Sequence, residues 1–328
     1  MRALKLSALC LAAVLASGCE RPPVESTQLG YRGTGMIDVQ NPRLDAGESE
    51  YPAALPVASG DGPRASDVYS NVQVLGDLSV AEFTRVMTAM TAWVSPDEGC
   101  NYCHNPANLA SDDVYTKVVS RRMLQMTQNI NSNWGDHVGG AGVNCYTCHR
   151  GQNVPEYLWF ESHDMERYFM GWRNGQNRAG ENVGYTSMPE DPFTGYLTDD
   201  SVMPVRVAST NPFPTDAESA SLLDAESTYA LMLNWSQSLG VNCAHCHNTS
   251  SFQDWSISTP ARVTAWHGLQ MVRDLNANYL LPLGPEYPDS RLGPHGDAPK
   301  AFCATCHQGQ TKPLNGADAV SDYPSLAP

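Results

Sequence analysis

The chain is 328 residues long, 41% hydrophobic and 17% charged, and its 20 Lys and Arg stand against 35 Asp and Glu for a net charge of −15. That imbalance argues against a nucleic-acid partner, whose phosphates need a basic surface, and suits the steering of a basic protein. Beyond the N-terminal leader no run approaches 18 uninterrupted apolar residues, so the body is expected to be water-soluble.

The leader, residues 1–18, has basic residues at Arg2 and Lys5 and then an apolar run from Leu6 to Ala16, too short for a bilayer span and typical of a secretory signal. It ends Leu15-Ala16-Ser17-Gly18-Cys19, which resembles a bacterial lipoprotein cleavage box with Ala16 in the usual Leu place. Cleavage before Cys19 and lipid attachment to its sulfur are expected, an uncleaved anchor being the alternative. Both put the body outside the cytoplasm and tether it to a membrane. Residues 19–76, rich in Gly, Pro and Ser, read as an irregular N-terminal arm.

The first helix is predicted from the capping box Ser79-x-x-Glu82, carries Val86, Met87, Met90 and Trp93 on one side, and stops at Pro96. A Cys-x-x-Cys-His motif follows at Cys100, Cys103 and His104. A second helix opens near residues 111–113, with Val119, Met123, Met126 and Ile130 as its apolar stripe, ahead of a second motif at Cys145, Cys148 and His149. The aromatic, Gly- and Pro-rich stretch 155–215 reads as a long ordered connector with at most short strands. The third helix runs from about Ala225 to Leu239, with Gly240 as its left-handed terminator, and precedes Cys243, Cys246 and His247. The fourth takes Thr259 as N-cap and Pro260 as first helical residue, ends before Pro282, and leads to Cys303, Cys306 and His307. The fold class is therefore mainly α with much irregular structure, built from helix–turn–motif units.

The units are duplicated. Leu124-Gln125-Met126 leads into Asn129-Ile130-Asn131, and Leu269-Gln270-Met271 leads into Asp274-Leu275-Asn276; Gly-Gln follows the second and fourth motifs at Gly151-Gln152 and Gly309-Gln310. Two pseudo-symmetric halves, 77–154 and 216–328, each hold a pair of motifs.

Cys-x-x-Cys-His is the attachment signature of c-type haem. The two thiols add to the two porphyrin vinyl groups, and the adjoining histidine reaches the iron. A zinc ribbon also uses Cys-x-x-Cys pairs, but here His follows the second Cys four times. Eight of the ten cysteines lie in the motifs and the other two, Cys10 and Cys19, in the leader, so no disulfide framework is left. Four covalent haems make the chain an electron carrier of the multihaem cytochrome c type. His104, His149, His247 and His307 supply one axial ligand each.

The sixth ligand sets the potential: a thioether raises it and a second imidazole lowers it. Met87 and Met90 face the same way on the first helix, as do Met123 and Met126 on the second, and spacing chooses in neither pair. In the repeat Met126 aligns with Met271 and Met123 with Gly268. If Met123 is a ligand, the fourth haem therefore needs a partner from elsewhere. Met232 is the one methionine of the third helix. Among the other histidines, His245 sits inside its own motif, while His163 and His295 lie in loops with solvated roles as the default. His267 is a helix-face candidate, and His137 lies in a Gly-rich loop able to reach across to another haem.

Together these features resemble the tetrahaem cytochrome subunit of the photosynthetic reaction centre of purple bacteria. The resemblance covers nearly the whole mature chain. It includes the lipoprotein box, the paired motifs, Met87-Thr-Ala-Met-Thr-Ala-Trp93-Val-Ser-Pro-Asp-Glu-Gly-Cys100 and Trp266-His-Gly-Leu-Gln-Met-Val-Arg-Asp-Leu-Asn276. It implies three His/Met haems, with Met87, Met123 and Met232 as ligands, and one bis-His haem completed by His137; Met90, Met126 and Met271 are then structural. It implies a non-enzymatic subunit, lipid-anchored through Cys19 on the periplasmic face beside the L and M subunits. That subunit re-reduces the special pair of bacteriochlorophylls and is refilled by a soluble cytochrome c or a high-potential iron–sulfur protein. Its haems form a linear chain of alternating potential. A carrier feeding a terminal reductase and a multihaem reductase or peroxidase are the rivals; the enzyme needs an open iron, whereas a sixth ligand can be named for all four.

Overall fold

The computed structural model describes residues 25–28, 37–40, 51–161, 188–189, 191–198, 205 and 222–328. The leader, Cys19, His163 and the connector aromatics Tyr168, Phe169 and Trp172 lie outside the described residues.

Two short strands, β1 (Glu25–Gln28) and β2 (Ile37–Gln40), pair antiparallel in the N-terminal arm, with Glu25 opposite Gln40. The regular structure among the other described residues is helical. Four long helices dominate: α1 (Val80–Val94), α2 (Tyr115–Asn133), α3 (Leu222–Leu239) and α4 (Pro260–Leu275). None is long and apolar enough to cross a membrane.

Helix α1 begins as its sequence dictates. The Ser79 hydroxyl accepts from the Glu82 amide at 3.1 Å, and the Glu82 carboxylate accepts from the Ser79 amide at 3.0 Å. The same hydroxyl donates to Ser59 O at 2.6 Å, tying the arm to the helix start. Helix α2 starts a little later than its polar residues suggest, because those residues have other partners. Lys117 donates to Leu109 O and Ser111 O, and Arg121 grips Asp112 at 2.7 Å, so 109–113 is a pinned loop instead of a first turn. The Arg121 hydrogen bond holds the Asp112 carboxyl at about 2, well below the usual carboxylate range.

Helix α3 ends on Gly240, whose φ is +67° and whose absent Cβ would lie 2.2 Å from Gly309 O. Helix α4 has Pro260 at its first turn, but Thr259 does not cap it. The Thr259 hydroxyl turns back to donate to His245 O at 2.5 Å, linking α4 to the third motif.

Two apolar cores result. One gathers Trp93 and Val86 of α1, Leu124 of α2, Tyr146, and Tyr323 and Leu326 from the C-terminal tail. The tail thus returns to the first half, where Asn131 Nδ2 donates to Leu326 O and Arg85 lies 4.0 Å over the Tyr323 ring. The other core joins Leu231 of α3 and Leu269 and Leu275 of α4 to Trp159, Phe193 and Tyr196 of the connector. Trp159 and Lys300 exchange backbone hydrogen bonds there, and the fully buried Lys300 is paired with Asp297, with Glu161 at 3.9 Å.

The equivalent asparagines of the repeat act as matched clamps. Asn131 donates to Val143 O and accepts from Val143 N, at 2.9 and 2.8 Å. Asn276 does the same to Ala301, at 3.0 and 2.8 Å, and also donates to Leu197 O at 2.9 Å. Val143 and Ala301 each stand two residues before the first cysteine of a motif. The asparagine of α2 and the one that closes α4 therefore fix the register of the motifs that follow them, the second and the fourth.

Two outcomes follow for guanidinium unfolding of the haem-loaded protein. Ser79→Ala should lose about 1–2 kcal/mol, the usual cost of a deleted cap. Asn276→Leu should lose on the order of 3 kcal/mol, because it strands a buried amide and two carbonyls. Asn131→Leu should lose less, since Asn131 is itself only half-buried, where Asn276 is fully buried, and water can reach part of what it leaves. Equal losses for the two asparagines would contradict the burial argument.

Candidate functional site

Each motif is a short helical turn, and the turns fall into two alternating classes. The first and third motifs contain 3₁₀ turns, Gly99–Tyr102 and Cys243–His245; the second and fourth are α-helical turns, Cys145–His149 and Cys303–His307. Thr147 and Thr305 bracket the helical pair, each hydroxyl accepting at 3.0 Å from the amide just before the first cysteine.

The axial rings are held in the same alternation. Nδ1 of His104 lies 2.9 Å from Leu109 O, and Nδ1 of His247 lies 2.8 Å from Phe252 O. Nδ1 of His149 lies 2.9 Å from Gln152 O, and Nδ1 of His307 lies 2.8 Å from Gln310 O. A carbonyl can only accept, so every Nδ1 carries the proton and every Nε2 keeps its lone pair for a metal. Burial lowers the pKa of His149 and His247 and brings His307 down to about 4, so these three rings are neutral at physiological pH.

The repeated Gly-Gln now has a reason. Arg150 and Gln308 adopt left-handed backbone (φ +52° and +49°), and Gly151 and Gly309 continue it (φ +80° and +81°). This reversal brings the Gln152 and Gln310 carbonyls back to the rings. The glycine amides then donate to Trp93 O of α1 and Ser238 O of α3, joining each helix to the second motif of its half.

The second and fourth motifs meet face to face. Cys148 Sγ and Cys306 Sγ are 2.7 Å apart, Arg150 donates to Cys306 O at 3.2 Å, and Gln308 donates to Cys148 O at 3.5 Å. The contact is reciprocal, each motif offering the same positions to the other. Cys145 and Cys303 are pushed up to about 12 by burial, whereas Cys100 and Cys243 are exposed. Among the described residues no three His, Cys, Asp or Glu side chains converge as a metal cage.

His137 stands on the short helical turn Gly135–Val138 and crosses to α4, where its Nδ1 lies 2.9 Å from Thr264 O. Its ring centre is 6.0 Å from that of His307, with the planes inclined by 65°. Nε2 is again the free nitrogen, and burial keeps this ring neutral as well. A metal bound to both rings at about 2 Å, the usual metal–imidazole distance, would hold their centres roughly 6 Å apart. The donor set therefore fits an iron porphyrin at the fourth motif. His267 has a different neighbour, its Nδ1 being 4.0 Å from Asp136.

The methionines separate unevenly. Met126 and Met232 pack against the second core, Met271 is buried within it, and half-buried Met123 belongs to neither core. Met87 and Met90 both lie against the first core. Sequence reasoning missed the asparagine clamps, the threonine brackets and the carbonyl anchors. The asparagines and threonines were detectable, since each recurs at the same offset in both halves.

These features agree with what the chain is similar to. The family model of the photosynthetic reaction centre cytochrome c subunit matches residues 20–327. The cytochrome c subunit of the Rubrivivax gelatinosus reaction centre is 52% identical, covering 98% of this chain and 89% of its own. The subunit of Thermochromatium tepidum is 50% identical over 97% of this chain and 79% of its own, and that of Roseobacter denitrificans is 47% identical over 92% and 85%. The chain belongs to the photosynthetic reaction-centre cytochrome c subunit family, electron-transfer proteins with covalently bound haem c and not enzymes.

Proposed function

We propose that this chain is a four-haem relay, anchored by lipid on Cys19 at the periplasmic face of the photosynthetic membrane beside the L and M subunits. It re-reduces the photo-oxidised special pair and is refilled by a soluble cytochrome c or a high-potential iron–sulfur protein. The observation that carries this reading is the ring anchor repeated at all four motifs, in which each Nδ1 is held by a backbone carbonyl and each imidazole is presented through Nε2. The thiols of Cys100 and Cys103, Cys145 and Cys148, Cys243 and Cys246, and Cys303 and Cys306 hold the macrocycles.

Haem c supplies a one-electron ferric–ferrous couple, higher in potential with a thioether ligand and lower with a second imidazole. The axial pairs are His104 with Met87, His149 with Met123, His247 with Met232 and His307 with His137. The choice of Met123 over Met126 rests on the family resemblance and is supported by the repeat, in which Met126 answers to the buried Met271 and Met123 to Gly268. The choice of Met87 over Met90 rests on the family resemblance. Six protein and porphyrin ligands at every iron leave no exchangeable position, which supports a carrier over an oxidoreductase acting on a small molecule. Duplication into halves 77–154 and 216–328, joined by the connector 155–215 and preceded by the arm 19–76, is supported by the paired clamps and the reciprocal contact.

Three measurements test this reading. A light flash on isolated membranes should oxidise the haems of this chain, and a pyridine haemochrome assay should return four per polypeptide; haems that stay reduced after the flash would sink the proposal. With a basic cytochrome as donor, the second-order reduction rate should fall as salt rises, because the −15 charge steers the encounter. A flat response would assign docking to apolar contact, as an iron–sulfur donor would use.

A further inference from the structure

The duplicated segment of α2 and α4 differs at one telling position. Leu124 answers to Leu269, Met126 to Met271 and Asn131 to Asn276, but Met123 answers to Gly268. Gly268 is buried in mid-helix, and its backbone is ordinary right-handed helix that any residue adopts. Glycine there costs about 1 kcal/mol relative to alanine, so some other need has to offset it.

That need is space for one ring. A Cβ on Gly268 would lie 2.5 Å from Cε1, 2.8 Å from Nδ1 and 3.1 Å from Nε2 of His137, and these are its three nearest atoms. The ring cannot simply slide along the helix, because its Nδ1 is bonded to Thr264 O one turn earlier. It therefore lies against the 264–268 turn, with its centre 6.0 Å from that of His307.

We infer that Gly268 selects the axial partner of His307: its missing side chain admits the imidazole of His137 where the first copy carries the thioether of Met123. The inference rests on the proposed His137–His307 axial pair. A side chain at 268 displaces the ring, and a methionine there takes its place. Gly268 is thus a positioning residue that decides whether this centre is bis-His or His/Met.

Four variants of the haem-loaded protein, examined by spin-state spectroscopy and redox titration, decide it. His137→Gly tests the underlying pair: one of the four haems should turn high-spin and five-coordinate, and four low-spin haems would overturn that reading. Gly268→Ala should push part of the same haem to high-spin and leave the other three unchanged. An unaltered spectrum and titration for Gly268→Ala, alongside a high-spin His137→Gly, would overturn the role of Gly268 while the pair stands. The double variant Gly268→Met with His137→Gly should restore a low-spin centre, with a thioether-to-iron charge-transfer band and a raised midpoint; a centre that stays high-spin counts against the selection. If Gly268→Ala fails to accumulate, adding His137→Gly should rescue assembly, since the clashing ring is gone, and no rescue would equally overturn the idea.

Discussion

The site depends on one kind of contact, an imidazole Nδ1–H donating to a backbone carbonyl. Such a bond contributes only about 1 kcal/mol net, so its importance is geometric. A histidine ring turns freely about its last torsion, which has broad and nearly two-fold wells, and either nitrogen can hold the proton. The carbonyl removes both freedoms together. Five rings, at His104, His149, His247, His307 and His137, are set this way, each presenting Nε2. Because the acceptor is backbone, the rest of the architecture serves to route the chain so that the right carbonyl returns to the right ring.

That routing separates the motifs into a buried pair and an exposed pair. The second and fourth are fixed from both ends. An asparagine on or at the end of the preceding long helix holds the residue two before the turn, and a left-handed reversal after it delivers the Gln152 or Gln310 carbonyl. Being rigid, these two turns can be packed against each other, and they meet through Cys148 and Cys306. Among the described residues the first and third have no such asparagine clamp; their rings reach five residues onward, to Leu109 and Phe252, and their leading cysteines are exposed. The C-terminal tail then closes the molecule by burying Leu326 and Tyr323 against α1 and α2, so the last residues stabilise the first half.

How much of this was legible in the sequence depended on the range of the interaction. The start of α1 follows from Ser79 and Glu82, three residues apart, and the end of α3 follows from Gly240; both were readable. Thr259 has an N-cap's identity and position, yet its hydroxyl serves His245 O, a competitor that only the tertiary structure supplies. The delayed start of α2 has the same origin, in the grip of Lys117 and Arg121 on the loop before it. His137 could be named as a candidate from its Gly-rich loop, but its landing on Thr264 joins residues 127 apart, beyond any periodic pattern. The asparagine clamps span 12 and 25 residues, and their repetition was visible while their partners were not.

Duplication alone would give two copies of the same pair of centres. A chain that moves electrons through sites of different potential has to break that symmetry without disturbing the scaffold that orients the rings. Changing a clamp or a carbonyl path would misplace a whole motif, because those contacts fix backbone register. Changing a side chain on the face of a long helix alters only what stands opposite the fixed histidine. In the proposed ligand set positions 123 and 268 are such places: the leucines, the methionines after them and the asparagines are kept, and one side chain is removed. The surface over Gly268 is filled from a third element, the turn at Gly135–Val138, whose His137 ring comes so close to α4 that a Cβ on Gly268 would lie 2.5 Å from it. On the proposed ligand set, repeated backbone anchors with an interchangeable opposite ligand would allow one fold to hold chemically different centres at constant geometry.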